Sequence, residues 1–438
     1  MESSRSQSDY TSILPLPPEI TIMIFEMASS LAEVDREWSE LVKARPEIII
    51  SHVCRQWRQV ALSCPTIWSR IMIRNWVAGT HSAAQLLEVY LTRSRGVPLD
   101  IVVTIRSPQC QLRSCTGDVY GFLRAVLPHS SRWRRPALWI DGGYSITPFA
   151  CLQEVSVSQL EVFEVATYPP PQGGPFPRSE AGSEFLTLFQ TGAPKLSSAL
   201  MESQLHLPLH HCRNISALDL QNSCEIRPWE DFITLITLPN LTNLTLDDIF
   251  LSPVSEPDPF APPALAPKLR NFRTSSFEVA RYMWTTICAP ELALLVLFHI
   301  GGKVAFSSNE VDSSQGRFPA VETLVLWSVD IWDPLDLTRL ALALPYLTSL
   351  VICDCGVDNR TLSETLLAQS RAKDVKLWPR LTTLTYVEGS GPGPRFRFSG
   401  LVDQRLLSYK KSTRNAVAAS GLAARSLWPG MRPQGRVP

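Results

Sequence analysis

Apolar residues change their period along this chain, and the changes divide it. In residues 14–73 they recur at helical spacing. Within LPLPPEITIMIFEMA, Ile20, Ile24 and Met27 fall at i, i+4 and i+7, widened by Met23 and Phe25. Pro17 and Pro18 suit a helix start, and Glu19 in the first turn complements the dipole. A second stretch, IIISHVCRQWRQVALSCPTIW, places Val53, Trp57, Val60 and Ala61 at i, i+4, i+7 and i+8, with Arg55, Arg58 and Gln59 opposite. It predicts one helix stopped by Pro65, then a turn carrying Ile67 and Trp68.

Further on, helix and strand patterns alternate. Residues 81–94 read as a helix through Leu86, Leu87, Tyr90 and Leu91, with Gly96 suited to its cap, and residues 99–105 as a buried strand. A helix at 119–127 and a strand at 137–140 repeat the pair. From Leu160 a frame Leu-x-x-Leu-x-Leu recurs, with tolerant substitutions. It appears at Leu160/Phe163/Val165, weakly at Leu196, then at Ile215/Leu218/Leu220, Leu241/Leu244/Leu246 and Leu269/Phe272. It continues at Leu292/Leu295/Leu297, Val321/Leu324/Leu326, Leu347/Leu350/Ile352 and Leu381/Leu384/Tyr386. From 215 onward its starts lie about 28 residues apart on average. Proline stands two residues before the frame at 194, 239, 267, 290, 319, 345 and 379, where it ends one element and hands the chain to an extended segment. Helical patterns lie between, through Phe232, Leu235 and Ile236; Val279, Met283 and Ile287; Leu337, Leu340 and Leu344; and Leu362 and Leu366.

A strand–loop–helix unit of this kind cannot bury its own apolar face, so neighbours are expected to stack, with parallel strands inside and helices outside. Side-chain alternation sends frame positions 1, 4 and 6 to the core and 3, 5 and 7 to the open strand face. One zone of that face then presents Asp219, Gln221, Asn243, Asp247 and Arg273. The next presents Val296, Phe298, Val325, Trp327, Val351 and Cys353. An apolar patch on an open face marks a candidate interface, with Trp327 as its anchor.

Composition narrows the function. The 438 residues exceed one usual domain, and 41 basic residues balance 41 acidic ones, which gives no electrostatic case for nucleic acid or an anionic membrane. The most apolar windows are too short or broken by charge and proline to span a bilayer, and the Ser-rich first dozen residues lack a signal-peptide core. Ten cysteines without a secretory signal are expected as reduced thiols in cytoplasm or nucleus. Pro/Gly/Ser-rich segments at 168–183, 252–268 and 301–317 are expected as loops.

Chemical motifs are weak. His206, His210 and His211 with Cys212 and Cys224 lack metalloprotease spacing because Pro208 interrupts them, and Cys353-x-Cys355 has no second cysteine pair. The Gly389–Pro394 run fits neither phosphate-loop pattern, and no nucleophile elbow is present. No catalytic residue, metal site or cofactor is expected.

Leu16-Pro17 before a short apolar helix, then Val53-Cys54-Arg55-x-Trp57-Arg58-x-Val60-Ala61 and Pro65-x-x-Trp68, resemble an F-box. The link at 29–47 is longer than usual for that family. The later frame resembles the degenerate leucine-rich repeats that often follow an F-box, without their asparagine ladder. The expected fold class is therefore α/β. It comprises an N-terminal tail (1–13), an all-α F-box-like module (14–73), helix/strand units (74–158), a leucine-rich-repeat-like solenoid (159–400), a capping helix (401–424) and a tail (425–438). The resemblance implies the substrate-receptor subunit of a Skp–cullin–F-box ubiquitin ligase. A Skp-type adaptor, and through it a cullin–RING ligase, would pack on Leu16, Pro17, Ile20, Ile24, Val53, Trp57 and Trp68. A protein client would meet Asp219, Asp247, Arg273, Val296, Phe298, Val325, Trp327 and Val351. The alternative is a leucine-rich-repeat interaction scaffold with no ligase role.

Overall fold

A computed structural model describes residues 16–31, 45–77, 81–106, 116–141, 147–168, 186–202, 205–221, 229–247, 262–300, 316–329, 334–353, 355 and 378–387. The expected capping helix at 401–424, both tails, the helical pattern at Leu362/Leu366, the Gly389–Pro394 run and most of the three proline-rich segments lie outside these residues. The chain divides into two compact units, Met1–Leu292 and Ala293–Pro438.

The first unit opens with three helices, α1 (Pro18–Leu31), α2 (Pro46–Val53) and α3 (Arg55–Ser63), and a 3-10 turn, Pro65–Trp68. The single helix expected across residues 48–64 is thus two. Cys54 adopts an extended conformation (φ −155°, ψ 173°) and its thiol accepts from the Trp57 backbone N–H, capping α3. A side chain that satisfies an orphan helix donor lets the chain restart in a new direction, which the apolar periodicity does not register.

Parallel strands follow. β1 (Arg70–Trp76), β2 (Leu99–Arg106), β3 (Trp133–Asp141) and β4 (Val162–Tyr168) pair in chain order, with α4 (His81–Arg93) between the first two and α5 (Thr116–Val126) between the next. Two short strands, β5 (Leu186–Thr187) and β7 (Leu205–His206), form a separate parallel pair. The main run continues through β6 (Ser198–Glu202), β8 (Ala217–Gln221), β9 (Asn243–Leu246) and β11 (Asn271–Thr274). Helix α6 (Trp229–Ile236) lies between β8 and β9 in sequence, α7 (Phe277–Thr286) follows β11, and β10 (Ala264–Leu265) pairs with β12 (Ile287–Cys288). In the second unit β13 (Leu294–Phe298), β14 (Thr323–Trp327), β15 (Ser349–Cys353) and β16 (Thr383–Val387) make a parallel run, with α8 (Pro334–Ala343) before β15. The fold is mixed α/β. In each run sheet order follows chain order, which parallel strands achieve through crossover connections.

The repeating frame locates every strand from β8 on in these two runs, each beginning two residues after the first apolar position. Ile215, Leu241, Leu292, Val321 and Leu347 are all at 0 or 1% exposure, and the fourth and sixth positions are buried beside them. The proline that precedes the frame closes a turn. The Leu241 N–H donates to the Leu238 carbonyl across Pro239, and the same bond recurs at Leu196, Leu292, Leu347 and Leu381. Proline at the second turn position has φ preset and gives up no needed donor.

The residue after that apolar position forms a ladder absent from the sequence expectation. The backbone N–H groups of Thr242 and Asn243 both donate to the Ser216 carbonyl, as those of Ser216 and Ala217 do to Ser197. Hydroxyls reinforce it: Ser197 donates to the Glu161 carbonyl (3.0 Å), Ser216 to Ser197 (3.0 Å) and Thr242 to Ser216 (2.9 Å). Thr348 and Thr382 repeat it in the second unit. Ser and Thr hydroxyls thus stitch the strand entrances at Ser197, Ser216, Thr242, Thr348 and Thr382, whereas Arg270 and Glu322 make the step through backbone bonds.

At the other end of α4, Arg95 takes the left-handed conformation (φ 47°) rather than Gly96. Among the described residues no helix is long and apolar enough to cross a membrane.

Candidate protein-interaction surfaces

The N-terminal helices turn one apolar face inward and another outward. Thr21 and Phe25 of α1 point to the core, where Phe25 meets Trp57 edge-on at 5.2 Å. Thr66 donates to Glu26 (2.7 Å) and Arg70 to the Ser29 carbonyl (2.9 Å), which fixes the helix against the following turn. The opposite face stays in solvent. Ile20, Met23, Ile24 and Met27 are 40–60% exposed, Leu16 just before the helix is 41% exposed, and Pro17 is exposed too. On α2, Ile49 and Val53 occupy i and i+4 at 60% and 56% exposure. Val53 is uncovered because α2 ends there.

Of the residues expected on this surface, Trp68 lies elsewhere and Trp57 is partly covered. Trp68 is 1% exposed; its indole N–H donates to the Ala61 carbonyl (2.8 Å) and its ring packs edge-on against Tyr90 (5.4 Å). It is a core residue, because a buried indole needs an acceptor and the end of α3 supplies one. Trp57 is half-buried under α1. Conversely Met23, Met27 and Ile49 extend the outer face. Their signal was present in the helical period, which marks a stripe without saying whether that stripe faces core or water.

The open strand face of the first unit carries polar groups. The register aligns Glu164, Leu200, Asp219, Thr245 and Arg273 in a row across β4, β6, β8, β9 and β11. One step along, Gln221 donates to Asp219 (3.0 Å) and Ser275 to Asp247 (2.8 Å). Burial pushes the Asp219 carboxyl up to about 6, against the opposing pull of Gln221 and Arg273, with Asp247 and Glu164 adding to the rise. Burial likewise raises Glu164, and it lowers Arg273, which Asp247 and Asp219 then stabilise as a cation. Asp219 is only half-buried by exposure, yet the strands around it remove much of its water. The structure brings Asp219, Asp247 and Arg273 together as one mixed-charge cluster.

In the second unit the apolar zone is smaller than the alternation implied. Val296 and Phe298 are 7% and 2% exposed, so neither lines an open face. His299 explains Phe298: it reverses the chain with φ 51°, donates its N–H to the Trp327 carbonyl (2.7 Å) and lays its ring 5.8 Å from Phe298 and 5.9 Å from Trp327. Val325, paired with Val296, stays half-buried, as does Val351, and Trp327 remains 37% exposed. Ser328 repeats the reversal, donating to the Cys353 carbonyl.

Among the described residues no group of three or more His, Cys, Asp or Glu is placed to hold a metal ion. His210 and His211 lie ring against ring at 4.0 Å, whereas Cys212 is buried and its thiol is pushed up to about 11. Cys355 donates to the carbonyls of Leu326 and Cys353. Neither models of known protein families nor curated protein sequences match this chain.

Proposed function

We propose that this chain is a non-catalytic receptor that joins an adaptor to a protein client, in the manner of an F-box subunit of a cullin–RING ubiquitin ligase. The carrying observation is the outer face of α1 and α2, where Leu16, Ile20, Met23, Ile24, Met27, Ile49 and Val53 are all exposed. A large exposed apolar surface is costly in water and commonly marks a protein interface. In this reading a Skp-type adaptor covers it. The strands, one added per frame, act as leucine-rich-like repeats; the client meets Asp219, Asp247 and Arg273 on the strand face of the first unit and Trp327 on that of the second. The receptor contributes proximity: it holds client lysines near a ubiquitin-loaded enzyme recruited by the partners.

Co-expression with a Skp-type adaptor followed by pull-down tests the reading. Wild type is expected to retain the adaptor, and Leu16→Ala/Pro17→Ala to lose it while melting like wild type. Failure of the wild type to bind would leave an interaction scaffold with no ligase role.

A further inference from the structure

Behind the exposed face, α2, α3, α4 and the turn Pro65–Trp68 enclose a cleft of about 260 Å³. Its lining is mixed: Leu62, Leu86 and Val89 offer accessible apolar surface above the buried Trp68 and Tyr90, and Ser51 and His52 add polar groups. Two arginines, Arg58 and Arg93, line it as well, and among the described residues no carboxylate does. The nearby acid Glu47 is turned inward, where its carboxylate accepts from the Tyr90 hydroxyl and burial raises its pKa.

Both arginines are held in place. Arg58 Nε donates to the Ser51 carbonyl at 2.9 Å, tying α3 to α2, and the Arg93 guanidinium lies 4.3 Å over the centre of the Trp68 ring. Stacking engages the guanidinium's face and leaves its in-plane N–H groups for an acceptor. Cations fixed before a ligand arrives lose little side-chain freedom on binding it. Drug-sized ligands generally need about 300–1,000 Å³, so this cleft suits one large side chain better than a small molecule.

We propose that the cleft docks an acidic segment of a partner protein. One aliphatic or aromatic side chain enters against Leu62, Leu86 and Val89, and a neighbouring carboxylate meets Arg58 and Arg93. The site is independent of the adaptor reading, although α2 serves both: Ile48 and His52 line the cleft, while Ile49 and Val53 face outward.

The test is fluorescence anisotropy of the full chain with a labelled peptide in which phenylalanine is flanked by glutamates. Versions with glutamine for glutamate, or glycine for phenylalanine, serve as controls. Each control is expected to bind roughly tenfold or more weakly, since charge-assisted hydrogen bonds and aromatic burial each contribute at that scale. Val89→Trp fills the cleft from its exposed edge and should abolish binding. Arg58→Glu should reverse the preference towards a lysine-flanked peptide; if its melting shows that it does not fold, Val89→Trp decides alone. Equal binding of the glutamine peptide, undiminished binding to Val89→Trp, or binding of inorganic polyphosphate but not of the peptide would each overturn the proposal.

Discussion

The N-terminal helices and the strand face of the first unit depart from ordinary burial in opposite directions. On α1 and α2, apolar side chains stand in water, and the helices nevertheless keep a core of Phe25, Ile50, Val60, Ala61, Ile67 and Trp68. On the strand face Glu164, Asp219, Asp247 and Arg273 lie where water is thinned, and Arg273 offsets part of the carboxylates' cost. Among the described residues nothing relieves the first departure. The second is relieved in part by Arg273. An apolar surplus therefore points more directly to a partner than a partly compensated polar cluster does.

Substitutions can sharpen that contrast. The largest effect on stability is expected where the helices are closed: Trp68→Ala should cost about 3–5 kcal/mol, read by denaturant unfolding. Ile20→Asp with Ile24→Asp, on the open face of the same helix bundle, should change stability by only about 0.5 kcal/mol or less per site while abolishing adaptor retention in pull-down. Equal losses of stability in Trp68→Ala and in the double variant would contradict the division into inner and outer faces.

The strand face should respond to pH. Asp219 is raised in the fold from an ordinary 3.8 to about 6, so between those values the native state holds a proton that the unfolded chain has released. Its contribution therefore weakens stability as pH rises through this window and levels off above about 6. Asp219→Asn should flatten the change, a difference on the order of 1–3 °C in Tm between pH 4.5 and 7. The ladder gives a local effect on stability alone: Ser216→Ala removes one hydroxyl bond to the Ser197 carbonyl, worth about 0.5–1.5 kcal/mol in a denaturant titration.

Much of the fold was legible in the sequence because the Leu frame and its proline recur with the strand itself. Leu241, Leu244 and Leu246 mark inward positions, and Pro239 marks the turn before them. What escaped was set by single side-chain contacts. The Cys54 thiol breaks one expected helix into two, and the Ser/Thr ladder hides in a position whose residue type varies. Surface residues were read less securely. Helical period identified the Ile20/Ile24 stripe but could not say that Trp68 turns inward, and strand alternation could not foresee His299 folding over Phe298. Arg58 and Arg93 gain meaning only when α3 and α4 meet around Trp68.

Hydrogen–deuterium exchange of the full chain, alone and with a Skp-type adaptor, tests the central claim most directly. The account predicts new protection concentrated in α1 and α2, at Pro18–Leu31 and Pro46–Val53, with the strands unchanged. Protection appearing instead along the strand face, or none anywhere, would contradict it.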